Sequence, residues 1–173
     1  MKDRDAMNDI FDDLDKYVTT VRDAACVERT MEKCCGHLSA LIKNGRVRRR
    51  FSSVAQKAAA NQQWLSQRLT GLQAATPVSC AECEPCQLNP DNFSVHGAVK
   101  FGLELSALAI NNYKELTGLA ANPEERRLFR SFLKGKIKAR DLLSKENEFT
   151  HEPAAAVDVI DSFCIPNISK LIK

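Results

Sequence analysis

A chain of 173 residues with 44% hydrophobic and 27% charged side chains, 7 glycines and 6 prolines can bury one core without staples and has the make-up of a helical domain. Its net charge of +3 is too mild to point to nucleic acid or a membrane surface as partner. The opening Met1-Lys2-Asp3-Arg4-Asp5 lacks the apolar stretch of a signal peptide, and no apolar run approaches the roughly 18 residues of a membrane span. The expectation is therefore a cytoplasmic protein.

From Ile10 the apolar positions Phe11, Leu14, Tyr17, Val18 and Val21 recur at steps of three and four, and the pattern continues through Ala24, Ala25, Met31, Leu38 and Leu41. This spacing predicts a helix buried along one side. Asn44-Gly45 predicts its end, the glycine supplying the left-handed backbone that closes many helices. A second helix restarts near Arg46 and carries Val47, Phe51, Val54, Ala55, Ala58, Trp64, Leu65 and Leu69 toward Gly71. Between 76 and 92, Pro77, Pro85 and Pro90 forbid an intact helix.

A third helix is predicted from about Phe93 through Val99, Leu103, Leu105, Leu108 and Ile110 to Leu119. Asn122-Pro123-Glu124-Glu125 then opens a fourth: Asn caps, Pro suits the first helical position, and two acids favour the positive end of the dipole. That helix carries Leu128, Phe129, Phe132, Leu133, Ile137, Leu142 and Leu143 to about Phe149. In the tail, Pro153 opens a short helix through Val157, Val159, Ile160 and Phe163.

The chain also matches itself at an offset of 78 residues. Leu38 falls on Leu116, Leu41 on Leu119, Asn44 on Asn122, Arg48-Arg49 on Arg126-Arg127, Phe51 on Phe129, Ser53 on Ser131 and Leu65 on Leu143. An internal repeat outranks other signals in deciding architecture. Each unit is a helix pair, and loops of a few residues make its two helices antiparallel neighbours. The predicted fold is a single all-α domain over 1–173, an antiparallel four-helix bundle of two helix-pair repeats. Repeat one spans about 14–72 and repeat two about 93–150; a cysteine-containing crossover linker covers 73–92 and a short helical tail 151–173.

Phe129-Arg130-Ser131-Phe132-Leu133 with Leu142-Leu143, preceded by Tyr113-Lys114-Glu115-Leu116 and Asn122-Pro123-Glu124-Glu125, resembles the second half of a ferritin-like protein of the rubrerythrin type. Arg49-Arg50-Phe51-Ser52-Ser53-Val54-Ala55 with Trp64-Leu65 resembles the first half. The resemblance covers roughly 15–150. It implies two irons held by one inward Glu from the first helix of each unit and a Glu-x-x-His from the second. The implied positions are Glu28, Ala58 and Asn61 in the first unit and Ser106, Lys136 and Ala139 in the second. Only Glu28 keeps a ligand side chain, so no conventional di-iron centre is expected. The resemblance also implies a homodimer.

The same positions suggest a substitute. If Glu28 and Lys136 both face the bundle axis, an ammonium takes the place of the cations, with Asn61 and Ser106 supplying hydrogen bonds. The competing expectation is that Lys136 reaches out to solvent past an alanine-lined centre.

Seven cysteines form the other constellation. Cys80-Ala81-Glu82-Cys83-Glu84-Pro85-Cys86 has the two-residue spacing with which thiolates hold zinc or an iron–sulfur cluster. A fourth ligand would come from Cys34, Cys35, Cys164 or a histidine. A disulfide, a redox pair or inert linker thiols are the other readings, and Cys26, Cys34 and Cys35 read as small packed hydrophobes. Arg46, Arg48, Arg49 and Arg50 open the second helix as a basic patch, either an anion or acidic-partner contact or a solvated face paired with nearby acids. His37, His96 and His151 show no ligand spacing.

Two functions fit, and a third is distinct. The favoured one is a non-catalytic ferritin-like binding or interaction protein with an unknown protein partner and, at the linker cysteines, a metal or cluster of unsettled identity. The alternative is a ferritin-like iron oxidoreductase with a shifted ligand set such as Glu28, Glu32, His37 and Glu104. The third is a thiol redox switch in the linker.

Overall fold

Four helices and no strand make up the described part of the protein, a computed structural model that describes residues 2–74 and 94–149, with side chains over 12–74 and 94–148. Helix α1 spans Lys2–Leu41, α2 Gly45–Gly71, α3 Val95–Leu119 and α4 Pro123–Phe149. The linker cysteines Cys80, Cys83 and Cys86, the tail and Cys164 lie outside the described residues.

Capping fixes the boundaries. The side chain of Asn44 accepts from the backbone N–H of Arg46 at 3.0 Å and of Val47 at 3.2 Å, and Asn122 accepts from Glu124 at 2.8 Å. Ser94 caps α3 by accepting from Gly97 at 2.9 Å. The glycine expectation at 45 is corrected: Gly45 is the first residue of α2, and no described glycine has a positive φ. Asn44 already satisfies two orphan donors of the new helix, so the turn needs no left-handed residue. The left-handed position is instead Gln73, at φ 54°, just beyond α2.

Three helix boundaries in the second pair fall 78 residues after those in the first: Leu119 after Leu41, Pro123 after Gly45, Phe149 after Gly71; α1 begins earlier than that offset gives for α3. Matched positions share their burial too, with Leu38 and Leu116, Phe51 and Phe129, and Leu65 and Leu143 all fully enclosed. The helices pack as a bundle. α1 lies mainly against α2, and α3 against α4; α1 also packs on α3, whereas α2 and α4 meet more sparsely. Tyr17 of α1 meets Arg68 of α2, and Lys16 pairs with Glu115 of α3 at 3.2 Å.

One glycine is required by packing. A Cβ on Gly102 would lie 3.2 Å from Leu143 and 3.3 Å from the Phe51 ring, both fully buried and unable to retreat. Gly36 has open space around its Cα. Urea unfolding should show Gly102→Val losing about 2–3 kcal/mol through overpacking. Gly36→Ala should gain about 0.5–1 kcal/mol from helix propensity; equal effects at the two sites would refute this packing.

Candidate functional site

Each helix sends one polar side chain to a single point inside the bundle. On α1, Ala24, Ala25, Met31, Cys35 and Glu28 share the buried stripe, which carries a carboxylate to complete enclosure. On α4, the stripe through Phe129, Phe132 and Leu143 also carries Lys136, only 3% exposed. The Lys136 ammonium donates to Glu28 Oε2 in a short, direct ion pair. It also reaches the thioether of Met31 at 3.5 Å.

The other carboxylate oxygen is held from the remaining two helices. Tyr113 on α3 donates its phenol proton to Glu28 Oε1 at 2.6 Å, and the amide of Asn61 on α2 donates to the same oxygen at 3.0 Å. Burial above all, and then the Glu28 charge, push the Tyr113 phenol far above its ordinary value. The protonated phenol is thereby favoured as the donor to the carboxylate.

Around this cluster stands an aromatic wall. Trp64 meets Phe129 edge-on at 5.4 Å, and Tyr113 meets Phe132 at 5.4 Å. Such surroundings lower the local dielectric, strengthening the pair once formed and raising the cost of removing either member.

Of the sequence-expected hydrogen bonds, Asn61 makes its bond and Ser106 does not. Ser106 is buried but donates to its own helix at Gly102 O, 2.7 Å away, because a short hydroxyl is satisfied locally by the preceding turn. Tyr113 supplies the second bond. Sequence reasoning used Tyr113 only as a landmark; a tyrosine on a wholly buried stripe needs a partner for its hydroxyl, and that was the available signal.

Ala58 is fully enclosed and Ala139 half-buried, so neither brings a donor atom to the six implied ligand positions. Glu28 is the only carboxylate among them, and an ammonium already sits against it. The donor set does not fit a pair of iron ions. Glu32 is half-buried, while His37 and Glu104 are exposed, so the shifted set does not converge on Glu28. Among the described residues, no three His, Cys, Asp or Glu side chains gather where they could hold an ion. Cys34 and Cys35 are packed in the core and Cys26 is half-buried.

The arginine patch divides. Arg46, itself exposed, pairs with the buried Glu146 of α4 at 2.8 Å, and Arg50 approaches the same oxygen at 3.7 Å. Arg48 and Arg49 are exposed as well. Two of the four arginines thus share one acid of the chain itself.

At the far end of α2, Arg68 pairs with Glu125 of α4 at 2.5 Å, and its Nε lies 3.2 Å from the hydroxyl of Tyr17. Thus ion pairs tie α2 to α4 at both ends. Between those ties lies a cleft of about 200 Å³, lined by Val54, Lys57 and Asn61 of α2 and by Ser131, Phe132, Gly135, Lys136 and Ala139 of α4. It leads from the surface to two members of the buried cluster.

No family model, curated protein or solved structure matches this chain.

Removing one partner of the central pair leaves an uncompensated charge, so Glu28→Gln and Lys136→Met should each lose about 3–5 kcal/mol in denaturant unfolding. Combining Glu28→Met, Lys136→Met and Tyr113→Phe removes both charges and the stranded hydroxyl, and should recover most of that loss. Additive losses in the combined variant would refute the coupling.

Alkaline titration gives a second check. Burial first, helped by Glu125 and opposed by Arg68, pushes the Tyr17 phenol up from 10.0 to about 12. A folded-state value above the unfolded one means that this contribution is complete below about pH 10 and is lost as pH rises toward 12. Near-ultraviolet phenolate absorbance should therefore stay absent near pH 10, and the Tyr113 phenolate should appear only on unfolding. Half-ionisation of either tyrosine at pH 10 in the folded state would contradict these environments.

Proposed function

We propose that the chain is a ferritin-like bundle of the rubrerythrin type, built from two antiparallel helix-pair repeats with a crossover between α2 and α3. Its centre holds an ammonium–carboxylate pair in place of a di-iron site, and it serves as a non-catalytic binding or interaction protein. The observation that carries this reading is the Lys136 ammonium lodged against Glu28 at positions where the resemblance puts metal ligands.

The repeat is supported by three helix boundaries displaced by 78 residues and by matched burial in the two halves. The antiparallel arrangement is supported by two contacts between α1 and α2. Tyr17 meets Arg68 and Glu28 meets Asn61, so advancing along one helix means retreating along the other. The crossover is supported by packing, because α1 lies beside both α2 and α3.

A closed polar cluster suits binding better than redox chemistry. The carboxylate accepts three donors, two of them uncharged, so its oxygens are occupied by the chain's own side chains. A zinc ion or iron–sulfur cluster at Cys80, Cys83 and Cys86 belongs to the same reading, outside the described residues.

Anaerobic loading with ferrous iron followed by exposure to oxygen tests this function. The protein should consume no oxygen beyond buffer and develop no diferric absorption. Any metal found by elemental analysis should disappear when Cys80, Cys83 and Cys86 are changed to Ser. Two irons per chain retained by that triple variant would overturn the proposal.

A further inference from the structure

The cleft between α2 and α4 has the chemistry of a small-ligand site. Its floor is the polar edge of the buried cluster. An ammonium has three N–H donors, and those of Lys136 meet one strong acceptor, Glu28, and one weak one, the sulfur of Met31. Among the described residues no acceptor takes the third. Asn61 uses an amide proton on Glu28 and also lines the cleft. Here, then, buried donor capacity and an open volume coincide, and burial makes an oxygen acceptor at that point valuable.

Charge and shape select the acceptor. No Asp or Glu lines the cleft; Lys57 stands at its rim, exposed, and Lys136 at its floor. The walls contributed by Val54, Phe132 and Ala139 are apolar. At about 200 Å³ the space is below the range of roughly 300–1,000 Å³ typical of drug-sized ligands and nucleotides. A short aliphatic monocarboxylate matches each property, with its oxygens toward Lys136, Asn61 and Lys57 and its alkyl tail against the wall.

We propose that the α2–α4 cleft binds a short-chain monocarboxylate whose oxygens accept from Lys136 and Asn61. The inference rests on reading this bundle as a binding protein and names the chemical class it binds. Small residues on α4 keep the site open: a Cβ placed on Gly135 would meet nothing within 4 Å, so the volume beside it is unfilled by the protein. The ends of α2 and α4 are fastened to each other by Arg46–Glu146 and Arg68–Glu125, one on either side of the cleft.

The test uses the full chain titrated with sodium butyrate against sodium chloride at matched ionic strength, followed by amide chemical shifts. Saturable shifts should centre on Ser131, Gly135 and Asn61. Lys57→Met should weaken binding about three- to tenfold by removing the rim charge. Gly135→Leu should abolish it by filling the cleft, while leaving the central pair intact and the helix propensity improved, so that loss of binding is not loss of fold. Absence of saturable shifts in the natural protein, or undiminished binding in Gly135→Leu, would overturn the proposal. Butylamine, of like size and opposite charge, should not compete, and competition by it would also count against the assignment. Iron uptake is measured independently, so a cleft that fails to bind and a centre that takes metal give different results.

Discussion

A carboxylate with no solvent exposure dictates much of this structure. Glu28 cannot be enclosed as an anion unless a cation and further donors come to it, because desolvation of a lone charge costs several kcal/mol even after relaxation. The chain meets that demand by drawing one residue from every other helix: Asn61 from α2, Tyr113 from α3 and Lys136 from α4. A shift of any helix by one residue would turn its contributor about 100° away from the axis. The cluster thus sets the register of all four helices at once. Hydrophobic packing alone, tolerant of Leu-for-Leu slippage, would specify that register less sharply.

The rest of the bundle is organised around this demand. On one side, Trp64, Phe129, Phe132 and Tyr113 pack edge to face and exclude water from the pair. On another, α1 lies close against α2, where alanines at 24, 25, 55 and 58 keep the buried stripes narrow. The remaining side is different. α2 and α4 are joined through long charged side chains at their ends and separated by small ones between, so packing there is sparse while the ends remain fixed. Closure on three sides and an opening on the fourth make the same buried charges both a structural lock and the floor of a recess.

Helix number, order and most boundaries were legible because they rest on local signals. The 78-residue self-match aligned the second helix pair with the first, and Asn122 marked the second turn by a cap that needs no tertiary partner. The same locality misled at Gly45, where a glycine beside a capping asparagine was read as the end of one helix although it begins the next. The meeting of Glu28 with Lys136 was legible through the register that the resemblance supplied, and Asn61 followed from it. Tyr113 and Ser106 exchanged roles for a reason outside sequence spacing: a serine hydroxyl reaches only the preceding turn, whereas a phenol extends far enough to cross the bundle. The pairing of Arg46 with Glu146 was likewise invisible, since the two are 100 residues apart and meet only when α2 and α4 lie side by side.

Comparison of the two helix pairs at matched positions shows how the cluster is polar yet balanced. At the offset of 78, Glu28 corresponds to Ser106, Ala58 to Lys136, Asn61 to Ala139 and Cys35 to Tyr113. Each charged or strongly polar member therefore faces a small or weakly polar counterpart in the other unit. The first helix pair contributes the carboxylate and the amide, the second the ammonium and the phenol. Two identical pairs would place either two carboxylates or two ammonium groups at the centre, and like charges at such separations cannot both remain ionised without a further counter-ion. With unlike side chains at the matched positions no further counter-ion is needed: the positive charge is covalently part of α4 and lies directly against the carboxylate of α1.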